Sequence, residues 1–130
     1  MNRISVLLID DDPLFVKLAA RSLKGHDDIT VVALADQIKN GLEQAYALQP
    51  DITLIDLASF DMRSRDILTR LRGAAPETGI IVLTIMDTEG YRETVLAAGA
   101  DELVSMSAIK TDLLPAIRRV AQTRLKKEET

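Results

Sequence analysis

The stretch Asp51-Ile52-Thr53-Leu54-Ile55-Asp56-Leu57 predicts both how this chain folds and where its chemistry lies. It is an aliphatic, partly β-branched run, and such a run between turn signals predicts a strand that is buried on both faces. Pro50 marks its entry, and Asp56 lies at its end. A lone carboxylate at the end of a buried strand has little structural purpose, whereas open parallel sheets bind ligands at the carboxyl ends of their strands. Asp56 is therefore the first candidate functional residue.

The composition indicates a single domain with an aliphatic core. The chain has 130 residues, of which 47% are hydrophobic and 3% aromatic. It contains no cysteine, which excludes disulfides and thiolate metal sites. The net charge of −4 argues against general nucleic-acid binding, and the cations of residues 118–127 are expected on the last turns of a C-terminal helix. No segment approaches the ~18 apolar residues of a membrane span, so we expect a cytoplasmic protein.

Four further strand-like runs alternate with helical patterns along the chain. They occupy residues 4–9, 29–34, 80–85 and 102–105. Strands that alternate with helices predict parallel strands joined by right-handed crossovers. We therefore expect an α/β fold with a five-stranded parallel sheet in the doubly wound order 2-1-3-4-5.

Two prolines predict where two of the helices start. Asp12 followed by Pro13 is typical of a helix start, with an N-cap acceptor and then proline at the first helical position. Pro115 places the start of the last helix at about Thr111, because proline is tolerated only in the first turn.

The predicted sheet brings polar side chains together at one edge. Strands 1 and 3 are neighbours at the switch point, so Asp10 and Asp11 lie next to Asp56, with Thr84 one strand further along. Three packed carboxylates repel one another, and a bound divalent cation relieves that repulsion. A site that offers only oxygen ligands selects Mg²⁺ or a similar hard cation.

A carboxylate beside Mg²⁺ can act as a nucleophile toward phosphorus and form an acyl phosphate. The metal neutralises charge that develops on the equatorial oxygens. A nearby threonine hydroxyl, here that of Thr84, can hydrogen-bond the new phosphoryl group. The pattern thus indicates phosphoryl acceptance on Asp56.

Four motifs, in this order, resemble a bacterial response-regulator receiver domain. They are Ile-Asp-Asp-Asp-Pro at 9–13, the opening stretch at 51–57, Ile-Val-Leu-Thr at 81–84 and Ala-Ala-Gly-Ala-Asp at 97–101. The resemblance implies a flavodoxin-like (βα)5 three-layer sandwich, dependence on Mg²⁺, and phosphorylation by a histidine kinase or a phosphotransfer protein. It assigns residues 1–122 to the receiver domain and residues 123–130 to a tail or the start of a linker.

The resemblance also assigns roles to individual residues. Asp10 and Asp11 match the metal-binding acids, and Asp56 matches the phosphorylated one. Thr84 matches the switch hydroxyl. The backbone carbonyl of Ala58 falls where the family supplies another metal ligand.

Four positions depart from the family pattern. Met106 stands where the family has a nearly obligatory lysine after strand 5, and a methionine cannot pair with a phosphoryl oxygen. Leu103 replaces the aromatic switch residue, Phe60 replaces a proline, and Ile85 replaces a small residue and is expected to crowd the site. Three nearby cations are candidate substitutes for the lysine, namely Lys110, Arg63 and Arg65.

Three functions are compatible with these residues. In a working receiver, phosphate on Asp56 pulls Thr84 inward and reshapes the face of helix 4, strand 5 and helix 5, which a partner or a second copy reads. In a pseudo-receiver, the same fold serves docking or dimerisation without phosphorylation. The third is a small phosphatase or phosphotransferase of the haloacid-dehalogenase type. Asp10 and Asp12 meet that family's Asp-x-Asp requirement, but Leu14 stands where it has Thr or Val, and the chain is short for its core. We expect no enzyme activity beyond self-phosphorylation and self-dephosphorylation.

Overall fold

The computed structural model describes residues 3–57, 63–86 and 88–129. Within these ranges, parallel strands alternate with α-helices from one end to the other. The elements are β1 (Ile4–Ile9), α1 (Pro13–Leu23), β2 (Ile29–Ala35), α2 (Ile38–Leu48), β3 (Ile52–Ile55), α3 (Ser64–Ala74), β4 (Gly79–Thr84), α4 (Glu89–Ala97), β5 (Glu102–Ser105), a 3-10 turn (Met106–Ala108) and α5 (Ile109–Glu129).

The strands form one parallel sheet in the order β2-β1-β3-β4-β5, which confirms the predicted topology. The strands β1, β3 and β4 are almost wholly buried because helices cover both faces of the sheet. All strands run the same way, so their carboxyl ends share one edge.

Two apolar layers hold the helices against the sheet. On one face, α1 and α5 pack through Ala19, Leu23, Leu113 and Ile117. On the other face, α2, α3 and α4 pack through a second set of buried residues, which includes Ala45, Ile67, Leu68, Leu71 and Val95. Successive strand residues contribute to opposite layers, as the pleat of a strand requires. The fold is therefore the predicted three-layer sandwich.

The edge strand β2 contains a bulge. Val6 is paired with Val31, but Leu7 is paired with Ala33, so Val32 is an extra residue. A bulge reverses the facing of the residues that follow it. As a result, Leu34 lies level with Leu8 and points to the α1 side of the sheet.

The start of the last helix was predicted wrongly. Helix α5 begins at Ile109, not near Thr111, and Pro115 lies inside it as the seventh residue. Proline at that place removes a hydrogen bond to the carbonyl of Thr111. The helix persists because its apolar face begins at Ile109 and continues through Leu113, burying residues at helical spacing down to Val120.

Three arginines of α5, among the residues whose side chains the structure describes, have specific acidic partners. Arg118 pairs with Asp28 through Nε at 2.9 Å, and Arg119 forms a two-pronged pair with Glu102. Arg124 donates to both oxygens of Asp101, at 2.9 and 3.0 Å. These pairs tie α5 to the segments that precede β2 and to the start of β5.

Asp101 is also the centre of a network at the amino edge of the sheet. Its carboxylate accepts from the backbone of Ile80 at 2.8 Å and from Arg72 at 3.4 Å. Burial and the neighbouring Arg124 lower the pKa of the Arg72 guanidinium from its ordinary value, although Asp101 opposes that shift. The network joins the end of α3, the start of β4 and α5.

In the part of the chain that the structure describes, no helix combines the length and the apolar character that crossing a bilayer requires.

Candidate functional site

The site lies where β1 and β3 end side by side. Ile9 and Ile55 are register partners, and the backbone N–H of Asp56 donates to the carbonyl of Ile9 at 3.2 Å. Asp10 and Asp56 follow these partners, so they leave the sheet from adjacent strands at the same level. Their exposures are 1% and 6%. Acidic residues are almost never buried this deeply without a purpose, and the pairing therefore points to function rather than to surface solvation.

A tight turn holds Asp10 and starts the first helix. The backbone N–H of Asp12 donates to Oδ1 of Asp10 at 2.9 Å. Oδ1 of Asp12 in turn accepts from the backbone N–H of Leu14 at 2.9 Å, which confirms Asp12 as the N-cap before Pro13. The main-chain contact on Asp10 was not predicted, although an acid two residues before a helix cap is a local signal for it.

Asp11 does not join the two buried acids. Its side chain is exposed. Among residues 3–57, 63–86 and 88–129, no three acidic or histidine side chains stand close enough together to hold a metal ion. The expectation that three carboxylates pack together is therefore not met by the side chains as they lie, because like charges separate when one of them has access to water.

The donor set nevertheless fits a hard cation. Asp10 and Asp56 place carboxylates at neighbouring strand ends. The exposed Asp11 side chain would have to turn inward from the adjoining turn to add a third carboxylate. Carboxylate oxygens are the ligands that Mg²⁺ takes in proteins. The backbone carbonyl of Ala58, the fourth predicted ligand, lies outside the described residues.

Thr84 ends β4, and its side chain is 1% exposed. Its hydroxyl is engaged by the residue two places further on: Oγ1 accepts from the backbone N–H of Met86 at 2.8 Å and donates to the Met86 carbonyl at 3.2 Å. This closed turn was not predicted, although a hydroxyl followed by a loop is its usual signal. Thr84 is also the register partner of Ser105, the last residue of β5.

The structure places three of the four altered positions. Met106 begins the 3-10 turn directly after β5 and packs, half-buried, against the core layer of α1 and α5. Leu103 is buried in the opposite layer. Ile85 follows the end of β4 and is 72% exposed, so most of its side chain faces solvent. Phe60 lies outside the described residues.

The three candidate substitute cations are all exposed. Lys110 lies in the first turn of α5, one turn beyond Met106. Arg63 is the N-cap of α3, and Arg65 lies in its first turn. Each is thus on the carboxyl side of the sheet, on a segment that follows β3 or β5.

The fold and the acidic residues first define a class. A parallel sheet of order 2-1-3-4-5 with buried aspartates at the carboxyl ends of β1 and β3 defines the flavodoxin-like class, in which ligands bind at this switch point. The sequence-family model of the response regulator receiver domain matches residues 6–118. The chain therefore belongs to this family of two-component signalling modules.

Individual relatives agree with this assignment. The chain is 32% identical over 117 residues to the nitrate/nitrite response regulator protein NarL of Escherichia coli K12, covering 90% of this chain and 54% of that protein. It is 31% identical over 121 residues to a homologue of that regulator in Haemophilus influenzae, covering 93% and 58%. The chain thus spans a little over half the length of these curated relatives.

Solved structures confirm the fold. The signal receiver domain of the NarL response regulator from Mycobacterium tuberculosis superposes with a TM-score of 0.84 at 24% identity, covering 94% of this chain and 98% of that one. The resemblance to receiver domains is therefore confirmed in sequence family and in architecture.

Proposed function

We propose that the chain receives a phosphoryl group on Asp56 from a histidine kinase or a phosphotransfer protein, in a relay that depends on Mg²⁺. The observation that carries this proposal is the burial of Asp56 beside Asp10 at the ends of adjacent central strands. Residues 1–122 would form the receiver, and residues 123–130 a tail or linker. We place this relay in the cytoplasm and assign the domain no nucleic-acid contact of its own.

The side chains suggest how the transfer proceeds. A carboxylate oxygen of Asp56 attacks the phosphorus, the bond from phosphorus to the donor nitrogen breaks, and an acyl phosphate forms. Asp10, Asp11, Asp56 and the backbone carbonyl of Ala58 would hold Mg²⁺, which supplies charge neutralisation for the phosphoryl oxygens. Burial of Asp56 limits the access of water to the reacting carboxylate.

Thr84 is the proposed switch hydroxyl. Its hydrogen bonds to the main chain of Met86 would break, and Oγ1 would donate to a phosphoryl oxygen instead. Because Thr84 is paired in register with Ser105, its movement would reach β5 directly. The face of α4, β5 and α5 would then change, and a partner or a second copy of the chain would read it.

Met106 favours a second candidate, a pseudo-receiver. A half-buried thioether stands in place of the expected lysine, so no cation projects from that position toward Asp56. Without that lysine, the phosphoryl group lacks a charge-assisted hydrogen bond worth about 1.5–3 kcal/mol. In this alternative, the fold docks or dimerises without phosphorylation.

A phosphoryl mimic separates the two functions. Mg²⁺ and beryllofluoride are titrated into the protein while backbone amide shifts are followed, with Asp56→Asn as the negative control. A working receiver shows shifts at Asp56, at Thr84 and along β5. Shifts confined to the acidic residues favour the pseudo-receiver. Shifts that persist in Asp56→Asn contradict the roles of Asp56 as phosphoacceptor and as Mg²⁺ ligand.

A further inference from the structure

A groove with an apolar floor lies between the end of α1 and the edge strand β2, away from the acidic site. Its volume is about 440 Å³. The floor consists of Leu23 from α1 with Ile29, Val31 and Leu34 from β2. Leu34 is 55% exposed, which is high for a leucine on the helix-covered side of a sheet.

The bulge in β2 creates this groove. Without the extra residue Val32, alternation would turn position 34 away from the side that Val31 faces. With it, Leu34 is level with Leu8 and joins Val31 on the α1 side. The bulge also interrupts the free edge of β2, which disfavours the addition of a strand from another protein. The groove therefore suits a helix rather than a strand.

The rim of the groove is cationic although the chain carries a net charge of −4. Arg21 and Lys24 lie on the last turn of α1 and at its C-cap, and both side chains are exposed. None of the described residues that line the groove is acidic. The nearby Asp28 carboxylate accepts hydrogen bonds from Nε and Nη2 of Arg118, at 2.9 and 3.0 Å. Asp27, which follows the lining residue His26, is exposed, so the cationic part of the rim is the α1 side, formed by Arg21 and Lys24.

We propose that this groove binds an acidic amphipathic helix of a partner protein. An apolar stripe on such a helix would cover Leu34 and Val31, as helix-in-groove recognition requires. Glutamates or aspartates flanking the stripe would meet Arg21 and Lys24. None of the described residues that line this surface belongs to the acidic site or to the face of α4, β5 and α5.

The test uses the whole chain and a synthetic helical peptide with a leucine stripe flanked by glutamates. Backbone amide shifts are expected at Leu23, Val31 and Leu34. Leu34→Ser is expected to weaken binding about tenfold, the loss that removing a buried leucine side chain implies. Arg21→Glu with Lys24→Glu should weaken it by at least a similar factor and reduce its dependence on salt.

Matched control variants distinguish binding at the groove from non-specific hydrophobic or ionic binding of the peptide. Leu48→Ser changes an exposed leucine on α2 (44% exposed, against 55% for Leu34), and Lys17→Ala removes an exposed cation elsewhere on α1. Neither change should alter the affinity. Equal binding of a peptide with lysines in place of glutamates would overturn the proposal, as would no binding at all. Concentration-dependent shifts of the same amides without peptide would assign the groove to a second copy instead.

Discussion

At the scale of single residues, the acidic site and the position after β5 point in different directions. Asp10 and Asp56 are buried at adjacent strand ends, which supports the proposed phosphoacceptor site. Met106, by contrast, packs against the core of the fold at the position from which a lysine would pair with the phosphoryl oxygens. The proposed switch therefore depends on how much one missing charge matters.

Restoring the cation tests this point. Met106→Lys is expected to tighten beryllofluoride binding by about tenfold or more, since a charge-assisted hydrogen bond contributes about 1.5–3 kcal/mol. The lysine stem can lie along the apolar surface that Met106 covers while its ammonium group reaches the site. Calorimetric titration in the presence of Mg²⁺ measures the change. Gln122→Lys, exposed on α5, is the charge-matched control, and an equal gain in that variant would refute the local explanation.

The ion pair between Arg118 and Asp28 predicts a dependence of stability on pH. The Arg118 side chain lowers the pKa of the Asp28 carboxyl below its ordinary value of 3.8. A lowered folded-state pKa stabilises the fold above the unfolded pKa, and this contribution is lost as the pH falls through the folded value. Asp28→Asn should therefore cost a small amount of stability near neutral pH and none in strong acid.

Urea unfolding at several pH values measures this effect, with the exposed neighbour Asp27→Asn as the control for net charge. The pair lies at the surface, so the difference should also shrink at high salt. A difference between Asp28→Asn and the parent that persists unchanged into strong acid would rule out this ion pair as its source.

At the scale of elements, α5 shows how packing overrides a local preference. Pro115 was predicted to limit the helix, yet the helix begins six residues before it. The proline ring cannot donate to Thr111, but Leu113, Ala116 and Ile117 on either side are all fully buried. Their burial outweighs the missing hydrogen bond.

Replacing this proline should consequently stabilise the protein. Pro115→Ala restores the missing donor and removes the clash with the preceding turn, for a gain of about 1–3 kcal/mol in the free energy of unfolding. Chemical denaturation measures the gain, and Gln122→Ala in the same helix is the control for added alanine. Destabilisation of Pro115→Ala would mean that the ring itself makes a contact that the helix needs.

Two glycines test how closely α5 and the sheet approach each other. A Cβ on Gly79 at the start of β4 would meet the side chains of Val120 and Ile52, whereas a Cβ on Gly73 in α3 would meet nothing within 4 Å. Gly79→Ala should cost about 1–3 kcal/mol by overpacking, and Gly73→Ala should gain about 0.5–1 kcal/mol through helix propensity. Equal effects of the two changes in denaturation experiments would contradict the packing described for α5.

At the scale of the whole molecule, the sequence predicts the architecture well because each local pattern agrees with the others. Buried aliphatic runs, helix starts such as Asp12–Pro13, and the acid after β3 all indicate one doubly wound sheet. The family assignment then agrees with the motifs that carried the resemblance. Element order and sheet order follow from such patterns because strand and helix periods differ.

Other features could not be predicted because they depend on residues distant in the chain. The pairs that Arg118 and Arg124 form with Asp28 and Asp101 span more than 20 positions. The bulge at Val32 leaves no turn signal in the sequence, yet it decides which side Leu34 faces. The exposure of Asp11 likewise depends on the buried neighbours that it avoids, and not on the motif in which it stands.

The central claim is that Asp56 accepts a phosphoryl group, and intact-mass spectrometry after incubation with a small-molecule phosphodonor and Mg²⁺ tests it most directly. The proposal predicts the addition of one phosphoryl mass that hydroxylamine removes and that Asp56→Asn abolishes. Asp36→Asn, which removes an exposed aspartate after β2 at the same edge of the sheet, should retain the adduct. An unmodified protein, or an adduct that survives in Asp56→Asn, would contradict the claim.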